Sequence, residues 1–301
     1  MKQFPNGARV CFVGDSITHV GLFIKHIAAY YRDNFPELHI EFYNCGIAGG
    51  TLTNALKVYG EDVAIYEPTH IVLMIGINDS RRTRLLEKPG EERYASMLEA
   101  YEKYKRNMET FYRLTQERGI ELILCTPMPY AEYQESDVEI FHGGFALIQS
   151  YAEAVRCFAR EHGLDLCDYH KAAIRAMESE VIYKVDRVHP NPRGHAIMAK
   201  AFLATLGIDY ESPESFSEEI EEWYSVTQTL RNVIATEYLT VTDYCNLTDE
   251  ERYETVKRKY EDIKNGVCEI DKYVGSLIEA YVTDKPRQGE YIEFVKSFMK
   301  K

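Results

Sequence analysis

Apolar positions follow two rhythms along this chain. Through the first two thirds, short runs rich in β-branched and aromatic residues alternate with longer stretches of helical spacing. Val10 to Val13 is the first such run. Gly14 and Asp15 interrupt it, and helix-like spacing then extends from Ile17 to Tyr31. Alternation predicts a second strand over residues 38–43, followed by a helix around 53–66. His70 to Ile75 is continuously apolar, as expected of a strand buried on both faces. A charged helix is predicted over 91–118, ended by Gly119, and a fourth strand over 121–126, stopped by Pro127 and Pro129. A looser loop, 130–144, precedes a helix ending near His162-Gly163. A short fifth strand at 164–167 and a helix after Pro192 complete the series. Strands separated by helices imply crossover connections and a parallel sheet covered on both faces. The predicted fold class is α/β: a three-layer α/β/α sandwich with a five-stranded parallel sheet.

From about Tyr210 the rhythm changes to amphipathic helix alone. Ile220, Trp223, Tyr224, Thr227, Leu230 and Ile234 recur at three- and four-residue steps. Thr248 is placed to cap a helix opening on Asp249-Glu250-Glu251 and closed by Asn265-Gly266. Ile270, Val274, Leu277, Ile278 and Tyr281 form a third stripe, and Tyr291, Phe294, Val295 and Phe298 a fourth. The reading divides the chain into a first domain, 1–208, and an all-helical extension, 209–301. The apolar stripes read as core and the charges as solvated faces. Size, and aromatics such as Trp223 that look exposed, suggest that the extension covers the mouth of a site or forms a homodimer.

Length supports this division, since 301 residues suggest one medium domain and an addition. The formal net charge of −13 argues against nucleic acid or an anionic membrane surface as partner. Residues 210–301 hold 20 acidic and 12 basic side chains, so −8 of that charge lies in the extension. No run of about 18 apolar residues occurs, so no membrane insertion is expected. Seven cysteines without CxxC pairs, several inside apolar strands (Cys11, Cys125), read as buried thiols of a reducing compartment. With the first strand following at once on Met1 to Gly7, no signal peptide is expected, and the expected location is the cytoplasm.

Ser16 stands where the first strand ends and a helix begins. Ligands of open parallel sheets bind beyond the carboxyl ends of the strands, and a helix start offers unpaired N–H groups to an oxyanion. Alone, Ser16 reads better as a helix cap after a turn. Three more stretches accompany it: Asn44-Cys45-Gly46-Ile47-Ala48-Gly49-Gly50-Thr51, Gly76-Ile77-Asn78-Asp79, and Asp186-Arg187-Val188-His189-Pro190. With Gly14-Asp15-Ser16-Ile17-Thr18 in front, the set in this order resembles the SGNH (GDSL-type) hydrolase family over roughly residues 8–207. Each block alone is a common peptide, and Gly49-Gly50 or Asn78-Asp79 would otherwise read as turns.

The resemblance implies a flavodoxin-like sheet and a serine esterase. Ser16 becomes the nucleophile, His189 the general base and acid, and Asp186 the residue that holds the His189 imidazole in the useful tautomer. The implied oxyanion donors are the Ser16 main-chain N–H, the Gly49 N–H and the Asn78 side-chain amide. The residue types suit those roles. Glycine lets backbone approach a ligand closely, and asparagine donates two hydrogen bonds without titrating. Prolines at 190 and 192 put Asp186 and His189 on a rigid loop. Gly50 departs from the family pattern, where an acidic or polar residue often follows the oxyanion glycine. That departure would loosen the oxyanion hole or widen the acyl pocket. His195 is expected to pack in a helix, Asp15 to cap locally, and His19, His26 and His70 to be helix or strand-edge residues. Arg81 and Arg82 read as a solvated loop, or as the substrate side of the crevice.

No metal or organic cofactor is expected. Asp186, His189 and His195 carry metal-ligating groups, but two prolines separate the histidines, so they are not a preorganised helical pair. An α/β-hydrolase would need a Gly-x-Ser-x-Gly elbow, which is absent. The expected substrate is a small-molecule ester, most simply an acetyl ester of a sugar, for which the 23 tyrosines offer flat faces. A lysophospholipase or thioesterase of the same family is the first alternative. A flavodoxin-like electron carrier, using the Ser16–Thr18 loop for flavin phosphate, and a non-catalytic binding relative are the alternatives of another class.

Overall fold

Five parallel strands in the order β2-β1-β3-β4-β5 form the centre of the protein, and a computed structural model describes residues 3–235. The strands are β1 (Arg9–Gly14), β2 (Glu41–Gly46), β3 (His70–Met74), β4 (Glu121–Cys125) and β5 (Asp165–Cys167). Alternate side chains of each strand face opposite layers. Cys11, Val13, Leu73 and Leu124 point to one core, which is filled by Tyr104, Met108 and Phe111 of α5 (Glu91–Glu117) and by Tyr151 and Val155 of α6 (Gly144–His162). Val10, Phe12, Val72 and Ile123 point to the other. There they meet Phe23, Ile24 and Ile27 of α2 (Leu22–Asn34), Tyr169 of α7 (Tyr169–Met177) and Phe202 of α8 (Pro192–Thr205). Both faces of the sheet are thus dry, which is why its strands read as unbroken apolar runs.

Several boundaries differ from the sequence reading, each for a local reason. The stretch 17–31 is two helices, α1 (Ser16–Val20) and α2, because Gly21 adopts φ +61°, closes α1 with its N–H on the Ile17 carbonyl, and restarts the chain. The second strand lies three residues later than predicted. Pro36–Leu38 forms a 3-10 turn, His39 is left-handed, and the ladder with β1 runs from Arg9 opposite Glu41 to Gly14 opposite Gly46. The helix expected around 53–66 is divided into α3 (Leu52–Lys57), α4 (Tyr59–Asp62) and a 3-10 turn at Ala64–Tyr66. Helix α7 has no counterpart in the sequence reading. Asp168 caps it by accepting the Lys171 N–H, while Arg156 grips the same carboxylate with two bonds of 2.8 and 2.9 Å.

The first stripe of the extension forms α9 (Glu218–Ala235), packed against α2 and β2. Trp223, which looks exposed in the sequence, is buried in the core with Phe12 and Phe202, and the Arg32 guanidinium lies 5.4 Å from its ring centre. The Tyr224 hydroxyl donates to the Val20 carbonyl at the end of α1 (2.8 Å). Arg231 and Asp62, both buried, join in a two-pronged ion pair of 2.6 Å per bond, and Arg231 also donates to the Asn44 carbonyl at 3.3 Å. Removing one partner of such a pair leaves a buried unpaired charge, so α9 is locked to the sheet edge. The stripes beginning at Ile270 and Tyr291, and the helix expected after Thr248, lie outside the described residues.

Candidate active site

All four singled-out blocks meet at the carboxyl edge of the sheet. Strand β1 delivers Asp15 and Ser16, β2 delivers the loop through Gly49 and Gly50, and β3 delivers Asn78 and Asp79. The Asp186–His189 segment reaches the same edge from the loop before α8.

Ser16 is the first residue of α1, with Asp15 as the cap accepting the Ile17 N–H at 3.0 Å. Its Oγ lies 2.8 Å from Nε2 of His189, and His189 Nδ1 lies 2.7 Å from Oδ2 of Asp186. The other carboxylate oxygen, Asp186 Oδ1, accepts the backbone N–H groups of Val188 (2.9 Å) and His189 (2.8 Å). Burial pushes the Asp186 carboxyl upward, but these N–H groups and the imidazole prevail and hold it below the ordinary aspartate value. With Nδ1–H donating to an ionised Asp186, the Nε2 lone pair would face the Ser16 hydroxyl. A hydroxyl held this way can pass its proton to the imidazole as it attacks an electrophile.

Arg187, between the two, has φ +61° and an almost completely buried guanidinium that donates to the carbonyls of Gln134 (3.1 Å), Ser136 (2.9 Å) and Val138. Its own carbonyl accepts the Ala131 N–H, and the Lys184 N–H donates to the His189 carbonyl. The Asp186–His189 loop is therefore stitched to the segment after β4 as well as stiffened by Pro190 and Pro192. Arg187 is the residue inside the D-x-x-H block to which the sequence reading assigns nothing.

The second side of the crevice presents hydrogen-bond donors. The Ser16 N–H opens α1, and Gly49 is exposed at φ +70°, a conformation that costs other residues roughly 1 kcal/mol or more. Gly50 is buried in a tight turn, with its N–H on the Ile47 carbonyl at 2.8 Å. A β-carbon there would come within 2.8 Å of that carbonyl, which explains the departure from an acidic or polar residue. The Asn78 amide donates to the Gly50 carbonyl (3.0 Å) and accepts from Arg82 Nη1 (3.2 Å). Both carboxylate oxygens of Asp79 approach the Leu52 N–H at the start of α3, at 3.1 and 3.2 Å. Asp79 thus ties the Gly49 loop to the Asn78 loop.

Two buried carboxyls support the site. Burial raises Asp15 to about 6, against the Ile17 N–H and the charges of His189 and Arg82. Burial, aided by the charge of Asp15, raises Asp79 to about 7 against the Leu52 N–H. The unfolded chain releases the Asp79 proton near 3.8, whereas the folded one keeps it to about 7. The folded state therefore holds more protons across that window, and its stability falls as pH rises through it. Urea unfolding at pH 4.5 and 7.5 is expected to show wild type losing on the order of 3 kcal/mol more than Asp79→Asn. Equal losses would mean that Asp79 is already ionised in the folded protein.

The remaining singled-out residues, Arg82 aside, make structural contacts. His195 is buried and stacked on the Phe23 ring, and burial pushes it down to about 3. His26 bonds the Tyr210 hydroxyl at 2.7 Å, and His70 sits between Thr69 and Glu121. Arg81 reaches outward to Ser96 and Glu99. Arg82 turns the other way, beside Asn78.

Known proteins resemble this chain in sequence and fold. The family model described as GDSL-like Lipase/Acylhydrolase matches residues 12–197. An acetylxylan esterase of Geobacillus stearothermophilus is 27% identical over 227 residues, which are 69% of this chain and 98% of the esterase. The crystal structure of Axe2, an acetylxylan esterase from that organism, is 25% identical and superposes with a TM-score of 0.57, over 69% of this chain and 98% of its own. A gut microbial diltiazem-metabolizing enzyme is also 25% identical, with a TM-score of 0.62 over 69% of this chain. This chain spans about half, 48%, of that enzyme's length.

Proposed function

Because the chain belongs to the GDSL-like lipase/acylhydrolase family, and is thereby a carboxylic ester hydrolase, we propose that it removes acetyl groups from carbohydrates through an acyl-enzyme on Ser16. One observation carries the reading: the unbroken contact from Ser16 Oγ through His189 to Asp186, at 2.8 and 2.7 Å.

In this mechanism the Ser16 oxygen attacks the ester carbonyl carbon while its proton passes to His189 Nε2. Asp186 stabilises the imidazolium and is not itself protonated. The carbonyl oxygen becomes an oxyanion and is received by the Ser16 N–H, the Gly49 N–H and the Asn78 amide. The bond to the leaving alcohol then breaks, and His189 returns its proton to that alcohol. A water molecule repeats the sequence on the acyl-enzyme, releasing the acid and restoring the serine. Every proton is handled by His189, so the steps are complete without a metal or organic cofactor.

Acetyl and carbohydrate are supported by the likeness to an acetylxylan esterase along nearly its whole length. Hydrolysis of p-nitrophenyl acetate, butyrate and octanoate, together with acetate release from acetylated xylo-oligosaccharides, tests the choice. Rates are expected to fall at least tenfold from acetate to octanoate, with acetate released from the oligosaccharide. Preference for octanoate would overturn the acetyl reading in favour of a lipid or thioester substrate.

A further inference from the structure

We propose that Arg82 is the positioning residue that sets which end of the Asn78 amide faces the reacting carbonyl oxygen. The inference rests on the proposed role of Asn78 as an oxyanion donor. The two ends of an asparagine amide are nearly equal in size, so shape alone does not orient it. Only the nitrogen end stabilises an oxyanion; the oxygen end would repel it. Two contacts on this amide act in the same sense. The Gly50 carbonyl can accept only from the nitrogen end (3.0 Å), and the Arg82 guanidinium can donate only to the oxygen end (3.2 Å). A flip would set two donors against each other at Arg82 and two acceptors at Gly50. Gly50 takes one Nδ2 proton and leaves the second for the ester oxygen.

The surroundings of Arg82 fit this task better than a surface role. Its Nη1 also donates to the Ile77 carbonyl (3.3 Å), and the guanidinium carbon lies 5.9 Å from the Phe141 ring centre. The Nε is buried with no acceptor among the described residues. Arg81 adopts φ +50°, and this turn sends the two adjacent arginines in opposite directions. A cation bonded to the amide oxygen also draws electron density from the nitrogen. The remaining N–H thereby becomes a stronger donor when charge develops on the ester oxygen. Arg82 acts through Asn78, and no contact of Arg82 with the substrate is required.

A double-mutant cycle on p-nitrophenyl acetate hydrolysis tests this, with Ser16→Ala as control and thermal melts of each variant. Asn78→Ala is expected to lower kcat about 10²–10³-fold. Arg82→Met is expected to lower kcat about 10–100-fold while KM stays within about twofold. In the Asn78→Ala background, Arg82→Met should cost nothing further, because there is no amide left to orient. Arg82→Lys keeps a cationic donor and should recover to within about tenfold of wild type; should the methionine variant not fold, Arg82→Ala, which also lacks a donor, carries the same cycle. An unchanged kcat, or a loss that adds in full to that of Asn78→Ala, overturns the assignment. A fully active Ser16→Ala would instead overturn the proposed reaction at this site, so the two failures are distinct.

Discussion

Ser16→Ala is expected to lower kcat for p-nitrophenyl acetate by about 10⁴–10⁶-fold while leaving the fold intact. The substitution removes the one oxygen placed 2.8 Å from His189 Nε2, so no acyl-enzyme can form. The donors at Gly49 and Asn78 would remain and account for a small residual rate over water. Stability should change little, since Ser16 is only half-buried and the cap of α1 is the Asp15 carboxylate, not the serine. Steady-state kinetics with a matched thermal melt reads both. A variant with a tenth or more of wild-type activity would place the nucleophile elsewhere.

Asp186→Asn is expected to cost about 10⁴-fold in kcat with a smaller effect on KM. The reasoning lies in which atom meets which. An asparagine here can still accept the Val188 and His189 N–H groups with its oxygen, so the loop retains its shape. That orientation puts the NH2 group where Oδ2 now stands, 2.7 Å from His189 Nδ1. The imidazole must then turn an unprotonated Nδ1 toward it and carry its proton on Nε2. A protonated Nε2 cannot receive the Ser16 proton. The imidazolium formed during reaction would also face a neutral group instead of a carboxylate. Kinetics across pH 5–9 distinguishes this from unfolding, since the variant should regain rate at high pH, where hydroxide assists attack. A loss of less than tenfold would show that Asp186 does not govern the tautomer.

Much of the frame was legible because both faces of the sheet are buried. Val10 to Val13 and His70 to Ile75 stand out as apolar runs bounded by turn residues. Ser16 falls at a strand-to-helix junction that any reader of spacing can find. Asp186 and His189 were within reach only through the resemblance of their block to the family's D-x-x-H, since two residues before prolines otherwise read as a surface loop. What escaped the sequence are relations between distant or neighbouring residues that share no pattern. Arg81 and Arg82 are identical neighbours, and only the left-handed turn at Arg81 separates a surface cation from one bonded to Asn78. Asp79 reads as a turn residue until its carboxylate is seen on the Leu52 N–H, 27 positions away. Strand β2 was misplaced because Asn44 and Gly46 look like loop residues, while pairing with β1 keeps them extended. Trp223 looked exposed because the partner that buries it lies on a different element, and the Arg231–Asp62 pair spans 169 positions.

The claim on which all else depends is that Ser16 is the residue that becomes acylated. The most direct measurement treats the protein with a small organophosphate or sulfonyl fluoride and weighs the intact chain, with Ser16→Ala alongside. One stoichiometric adduct is expected on wild type, located by peptide mapping to the segment holding Ser16, with activity lost in proportion. The alanine variant should take up none. An adduct at another residue, or labelling that persists in the alanine variant, would contradict the account.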